Sequence, residues 1–151
     1  PHDDICEARV FDDRLALVAA PGHPALGDHP PDMAALARDD WVVPRSGAPG
    51  RAQFNALFRA AGLSPPSDVV ETGSVVVLRE LAVEAGYLGC ISGAQLAPEL
   101  RRGQLVRLPI GGDLPARPIG ISTRDGWVPT RAQAMLVDCL HDAAPDVRAQ
   151  P

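Results

Sequence analysis

Apolar residues in this chain gather into short runs, separated by stretches rich in Pro, Gly and charge, and the spacing within the runs switches between continuous and helical. Ile5–Phe11 and Arg14–Ala20 read as strands, with Asp12-Asp13 between them as a tight turn. Residues 21–31, PGHPALGDHPP, read as loop. Asp32 is placed to cap a short helix reaching Leu36, and Trp41–Val43 is a brief strand. From Arg51 the apolar positions Phe54, Leu57, Phe58 and Ala61 fall on one helical face, and Gly62 closes that helix. The pattern continues as strand Asp68–Glu71, helix Val75 to about Ala85, strand Tyr87–Ile91, helix Gln95–Arg102 and strands Gln104–Leu108 and Pro118–Thr123. A last helix opens on Thr130 and Gln133, the T-x-x-Q of a reciprocal cap, and carries Ala132, Met135, Leu136, Cys139, Leu140 and Ala143 on its apolar face. Strands alternating with helices predict an α/β fold with a mainly parallel sheet and helices on both faces.

In such sheets ligands sit beyond the carboxyl ends of the strands, where turns lead into helix N-termini. The first N–H groups of a helix have no partner within it, which makes these turns natural anion sites. Two turns carry suitable chemistry: Arg45, Ser46 and Gly47 after the strand Trp41–Val43, and Gly73, Ser74 and Val75 after Asp68–Glu71. A third, Ser92-Gly93, follows Tyr87–Ile91. The bland alternative for the first turn is that Ser46 caps the helix and Pro49 occupies its first turn. Neither G-x-x-x-x-G-K-[ST] nor G-x-G-x-x-G is present, so no nucleotide cofactor is expected.

Composition narrows the classes further. The chain has 151 residues, one domain's worth, and its 4% aromatic content implies an aliphatic, alanine-rich core. All 14 basic residues are Arg, as in a GC-rich bacterial gene, and the formal net charge is -5. With no basic run longer than Arg101-Arg102, duplex DNA binding by this segment is not expected. Cys6, Cys90 and Cys139 are odd in number and widely spaced, which suits a reducing cytoplasm and argues against disulfides or a zinc site. Cys90 and Cys139 both read as small buried core residues, so a thiol nucleophile working with His23 or His141 is disfavoured, and no metal is expected. Glu80 and Glu84 read as one solvated helix face. No apolar run is long enough for a membrane span and no leader pattern is seen. The chain begins at Pro1 rather than Met, so a fragment or processed product is expected.

Taken together, LALVAAPGHPAL (15–26), WVVPRSGAPGRAQFNALFRAAGL (41–63), VVETGSVVVLRELAVEAGYLGCIS (69–92), GQLVRLPI (103–110) and RPIGISTRDGWVPTRAQAMLVDCL (117–140) resemble the effector-binding domain of LysR-type transcriptional regulators. The resemblance spans about residues 5–143, and RPIGISTRDGWVPT is most similar to the galactose-binding-protein regulator branch. It implies the type 2 periplasmic-binding-protein fold: two lobes, with lobe II at 24–113 and an incomplete lobe I built from 1–23 and 114–151. It implies crossing strands at Leu15–Ala20 and Ile119–Thr123, and a cleft for a small anionic or hydroxylated effector lined by Arg45, Ser46, Gly47, Gly73, Ser74, Val75, Ile91 and Ser92. The family's helix-turn-helix would lie upstream, so DNA would be contacted only through that absent part. The implied function is sensing rather than catalysis. A solute receptor of the same fold and an α/β enzyme are the alternatives, and the upstream reading frame would separate them. The last helix and the strands Ile5–Phe11 and Leu15–Ala20 would then lack part of their sheet, which predicts association into a dimer or larger.

Overall fold

The computed structural model describes residues 4–27, 29–110 and 114–148, the side chains of 145–148 excepted. In chain order the elements are β1 (Ile5–Ala19), a 3-10 turn (Pro24–Leu26), α1 (Met33–Leu36), β2 (Trp41–Val43), α2 (Pro49–Ala60), β3 (Val69–Glu71), α3 (Val75–Ala85), β4 (Leu88–Ser92), α4 (Gly93–Arg101), β5 (Val106–Arg107), β6 (Ala116–Arg124) and α5 (Arg131–Arg148). They fall into two compact units, 14–115 and 1–13 with 116–151. The larger unit takes in residues 14–23, which the sequence reading groups with the other lobe, because Leu15–Val18 pair with Ser92–Gly89 of β4. The expected end of lobe II at 113 lies outside the described residues.

In the larger unit the strand order is β3-β2-β4-β1-β5. The α/β class holds, but the sheet is mixed where a mainly parallel one was expected: β2 runs parallel to β3 and β4, while the long β1 runs antiparallel to β4 and β5. Both faces are covered, so its strands carry continuous apolar runs whose alternate residues enter different cores. Leu15, Leu17, Trp41, Val43, Leu88 and Cys90 pack with Phe54 and Phe58 of α2. Ala16, Val18, Val42 and Ile91 pack on the other side with Leu78 and Ala82 of α3 and Leu96 of α4. The Trp41, Phe54 and Phe58 rings meet edge-on at centroid distances of 5.0–6.1 Å, and the Trp41 indole N–H donates to the Leu36 carbonyl at 2.7 Å. Gly89 is required by space, since a Cβ there would lie 2.8 Å from Leu78 and 2.9 Å from Val18.

Three further sequence expectations are corrected. Asp12-Asp13 is not a turn but the middle of one 15-residue strand, β1. Two acidic residues within an apolar run look like a break; here Asp13 is buried and accepts from Arg117 Nε and Nη2 at 2.9 and 2.7 Å, a partner 104 residues away that satisfies the inward carboxylate. Cys139 is exposed rather than buried, because the apolar face of α5 is largely uncovered: Met135, Leu136 and Leu140 are 57%, 60% and 46% exposed. The strand expected at Gln104–Leu108 shortens to Val106–Arg107, with Leu105 and Leu108 buried on either side.

In the smaller unit β6 pairs with β1. Asp125 lies against Asp4 and Arg117 against Asp13, so the two strands run in opposite directions. The α5 cap forms as read from T-x-x-Q: Thr130 N–H donates to Gln133 Oε1 at 2.9 Å and Gln133 N–H to Thr130 Oγ1 at 3.4 Å.

Phe58→Ala is expected to destabilise the larger unit by about 3–5 kcal/mol, since a fully buried ring would leave a cavity against Trp41; chemical denaturation followed by Trp fluorescence measures it. The thiols give an independent check. Cys6 and Cys139 are exposed and Cys90 is buried, so a thiol reagent should modify two cysteines in the folded chain and the third only on unfolding. Burial pushes the Cys90 thiol well above its ordinary 9.0, with the nearby Arg51 charge opposing only in part. A pKa raised in the folded state contributes stability that is complete below the unfolded value of 9.0 and lost as pH rises beyond it. The decline should reach about 1.4 kcal/mol per pH unit relative to Cys90→Ala in pH-dependent denaturation.

Candidate functional site

The strands β3, β2 and β4 run parallel; β3 and β2 end level, with Val43 opposite Glu71, while β4, whose Gly89 lies opposite Val42, runs on to Ser92. Their following turns therefore share one edge of the sheet, and each leads into a helix: α2, α3 and α4. The backbone ties the first two turns to each other, because Thr72 N–H donates to the Val43 carbonyl at 2.9 Å.

Two of the three serines cap these helices. Ser74 Oγ accepts from Val77 N–H at 3.4 Å, and Ser92 Oγ accepts from Gln95 N–H at 3.3 Å. Thr72 Oγ1 accepts from Ser74 N–H at 3.1 Å, which shapes the approach to α3. Ser46 does not cap α2. That helix starts at Pro49 with Ala48 at its cap position and no side-chain cap bond. The reason is a four-residue turn: Ala48 N–H donates to the Arg45 carbonyl at 3.1 Å, and Gly47 has φ +81, the conformation a glycine adopts at the third position of a type II turn. Ser46 is thereby held two residues ahead of the cap.

The Ser46 N–H is instead satisfied by Glu71, whose Oε2 accepts it at 3.0 Å. Glu71 Oε1 accepts from Arg51 Nη1 at 2.7 Å, and Arg51 is further held by the Pro44 carbonyl and Asn55 Oδ1. Sequence reasoning passed over both Glu71 and Arg51. The available signal was their placement, one ending a strand beside the turn and the other in the first turn of the next helix.

Of the other residues expected at the site, Arg45, Gly47 and Gly73 are exposed and Val75 is half-buried. Ser92 is buried at the start of α4, and Ile91 lies in the core with Val18, Val42 and Leu78. The edge thus offers exposed hydroxyl and backbone groups from two turns, while the third, at Ser92, is buried. His23 Nδ1 accepts from Ala25 N–H at 3.1 Å and its Nε2 contacts the Gly86 carbonyl at 3.1 Å, which leaves it a structural role in its loop. Cys90 is sealed in the core. Among the described residues no group of three or more His, Cys, Asp and Glu side chains is placed to hold a metal, and no helix is long and apolar enough to cross a membrane.

The family described as LysR substrate binding domain matches residues 1–145. The chain belongs to that family. It is 35% identical over 143 residues to the HTH-type transcriptional regulator GalR of Pseudomonas putida, covering 93% of this chain and 36% of that protein. It is 30% identical over 136 residues to the uncharacterized HTH-type transcriptional regulator YdcI of Escherichia coli, covering 90% and 44%. The chain therefore spans less than half the length of these relatives. Among solved structures, the Synechocystis CcmR regulatory domain in complex with 2-PG matches with a TM-score of 0.74 at 20% identity, over 95% of this chain and 69% of that one. The effector binding domain of QuiR in complex with shikimate matches with a TM-score of 0.69 at 16% identity, over 96% and 68%. At these identities the likeness establishes the fold, α/β and type 2 periplasmic-binding-protein-like.

Proposed function

We propose that this chain is the small-molecule sensing part of a bacterial LysR-type transcriptional regulator, and that its effector binds at the edge formed by Arg45, Ser46, Gly47, Gly73, Ser74 and Val75, with Ile91 and Ser92 behind. The observation that carries the reading is the shared direction of the neighbouring parallel strands β2, β3 and β4, which puts three strand-to-helix junctions on one edge. Helix N-termini there favour an anion or the oxygen of a hydroxyl, each by about 0.3–1 kcal/mol where partly exposed. Relatives that are HTH-type regulators, and neighbours solved with 2-PG and shikimate, support a small-molecule ligand. DNA would be contacted by a part of the regulator outside this chain, in keeping with a net charge of -5. The reading is of a sensor rather than an enzyme, since Cys90 and His23 are both committed to structure.

Self-association belongs to the same proposal, with a second copy as the occupant of the uncovered α5 face. Leu136, Val137 and Leu140 of α5 and Ile121, Thr123 and Trp127 line an apolar groove of about 390 Å³. Leaving several such side chains in water forgoes roughly 1.5–3 kcal/mol apiece, a strong drive to association.

A thermal-shift screen of small hydroxylated and anionic metabolites should yield a stabilising ligand. Ser46→Ala and Ser74→Ala should each weaken its binding by about tenfold, a loss of about 1.4 kcal/mol, while melting stays cooperative. Unchanged affinity in both variants would remove the site from this edge. Light scattering should find a dimer or larger, and Leu136→Glu should dissociate it. A monomer with one cooperative melting transition would refute self-association through α5.

A further inference from the structure

The turn after β2 has the makings of an anion site, yet its donors already hold an anion. Glu71 bridges the Ser46 N–H at 3.0 Å and the Arg51 guanidinium at 2.7 Å, both through charge-assisted bonds. The bridge is well fixed. The Arg51 side chain is only 14% exposed and is clamped by Pro44 and Asn55, whereas Glu71 follows directly from the β2–β3 register that sets it opposite Val43. An incoming carboxylate or phosphate would have to displace Glu71 and also face its negative charge. An uncharged hydroxyl would meet an acceptor already positioned, because Glu71 is 38% exposed at the same edge as Ser46 and Ser74.

We propose that Glu71 is the specificity-determining residue of this corner: an internal anion that fills the position between Ser46 and Arg51, excludes anionic groups from it, and takes an uncharged hydroxyl of the effector there. The inference rests on the effector edge proposed above and narrows its ligand from anionic or hydroxylated to one that is uncharged at this point. The Arg45 guanidinium, exposed and with no side-chain partner among the described residues, marks where any charged group of the same ligand would be met instead.

Inorganic sulfate tests the exclusion without any effector in hand. Amide resonances of the full chain are followed as sodium sulfate is titrated against sodium chloride at matched ionic strength. In the unsubstituted chain the Ser46 amide should show no saturable shift. In Glu71→Ala it should shift saturably, with sulfate bound at least about tenfold more tightly, as expected when charge-assisted donors are released, and Glu71→Gln, which loses the charge but keeps one acceptor oxygen, should respond between the two. Adding Arg51→Gln to Glu71→Ala should abolish that response. Saturable binding at Ser46 in the unsubstituted chain would overturn the proposal, as would folded Glu71 variants that remain silent. Because the readout is the Ser46 amide and sulfate, failure here is distinguishable from failure of the effector edge, which Ser46→Ala and Ser74→Ala report through the effector itself.

Discussion

The larger unit depends on the burial of Trp41. This one residue begins β2, fills the space beneath α2 by edge-on contact with Phe54 and Phe58, and ties α1 to the sheet through its indole N–H. In a chain with 4% aromatic residues, three of them concentrated in one contact set supply a large share of the apolar area under that helix. With α2 held there, the chain leaves β2 through a short turn and returns to β3 in parallel register. The position of Glu71 beside Ser46 is a consequence of that return.

The same geometry explains why the candidate site lies where it does. Parallel strands joined through helices put every strand-to-helix turn at one end of the sheet, and β3, β2 and β4 are neighbours. Their turns need no special sequence to converge. What distinguishes them chemically is local: a type II turn that holds Ser46 two residues ahead of the α2 cap, a Thr72–Ser74 arrangement that shapes the start of α3, and a buried Ser92 cap on α4. The first of these is closed internally by a carboxylate. The edge is therefore a mixture of donors already engaged, such as the Ser46 N–H, and side chains still exposed, such as Arg45 and Ser74.

Much of this was legible from residue pattern. The periodicity of Phe54, Leu57 and Phe58, the Thr130 cap, and the apolar runs of β2 and β4 are local signals, set by side-chain spacing within a few residues; β2 and α3 formed where expected, α2 and β4 within two residues of it, and α5 opens as expected but runs past Ala143 to Arg148. Where the reading differed, the cause lay beyond the local pattern or in turn geometry. Asp13 stays in a strand because Arg117, 104 residues away, neutralises it, Ser46 is held ahead of the α2 cap by the Arg45–Ala48 turn and its N–H is taken up by Glu71, and Cys139 is exposed because nothing among the described residues covers the apolar stripe of α5.

The sequence by itself therefore determined the alternation of strands and helices, the two-sided burial of the central strands and which turns lead from strand to helix, since all of these follow from spacing and capping chemistry along the chain. Only the tertiary structure decided which of those turns still has donors to offer. Glu71 and Ser46 are 25 residues apart, and no local pattern marks them as partners. Their bond exists because a parallel register, enforced by burial of Trp41 and the helix above it, brings one strand's last carboxylate against the next strand's first free amide.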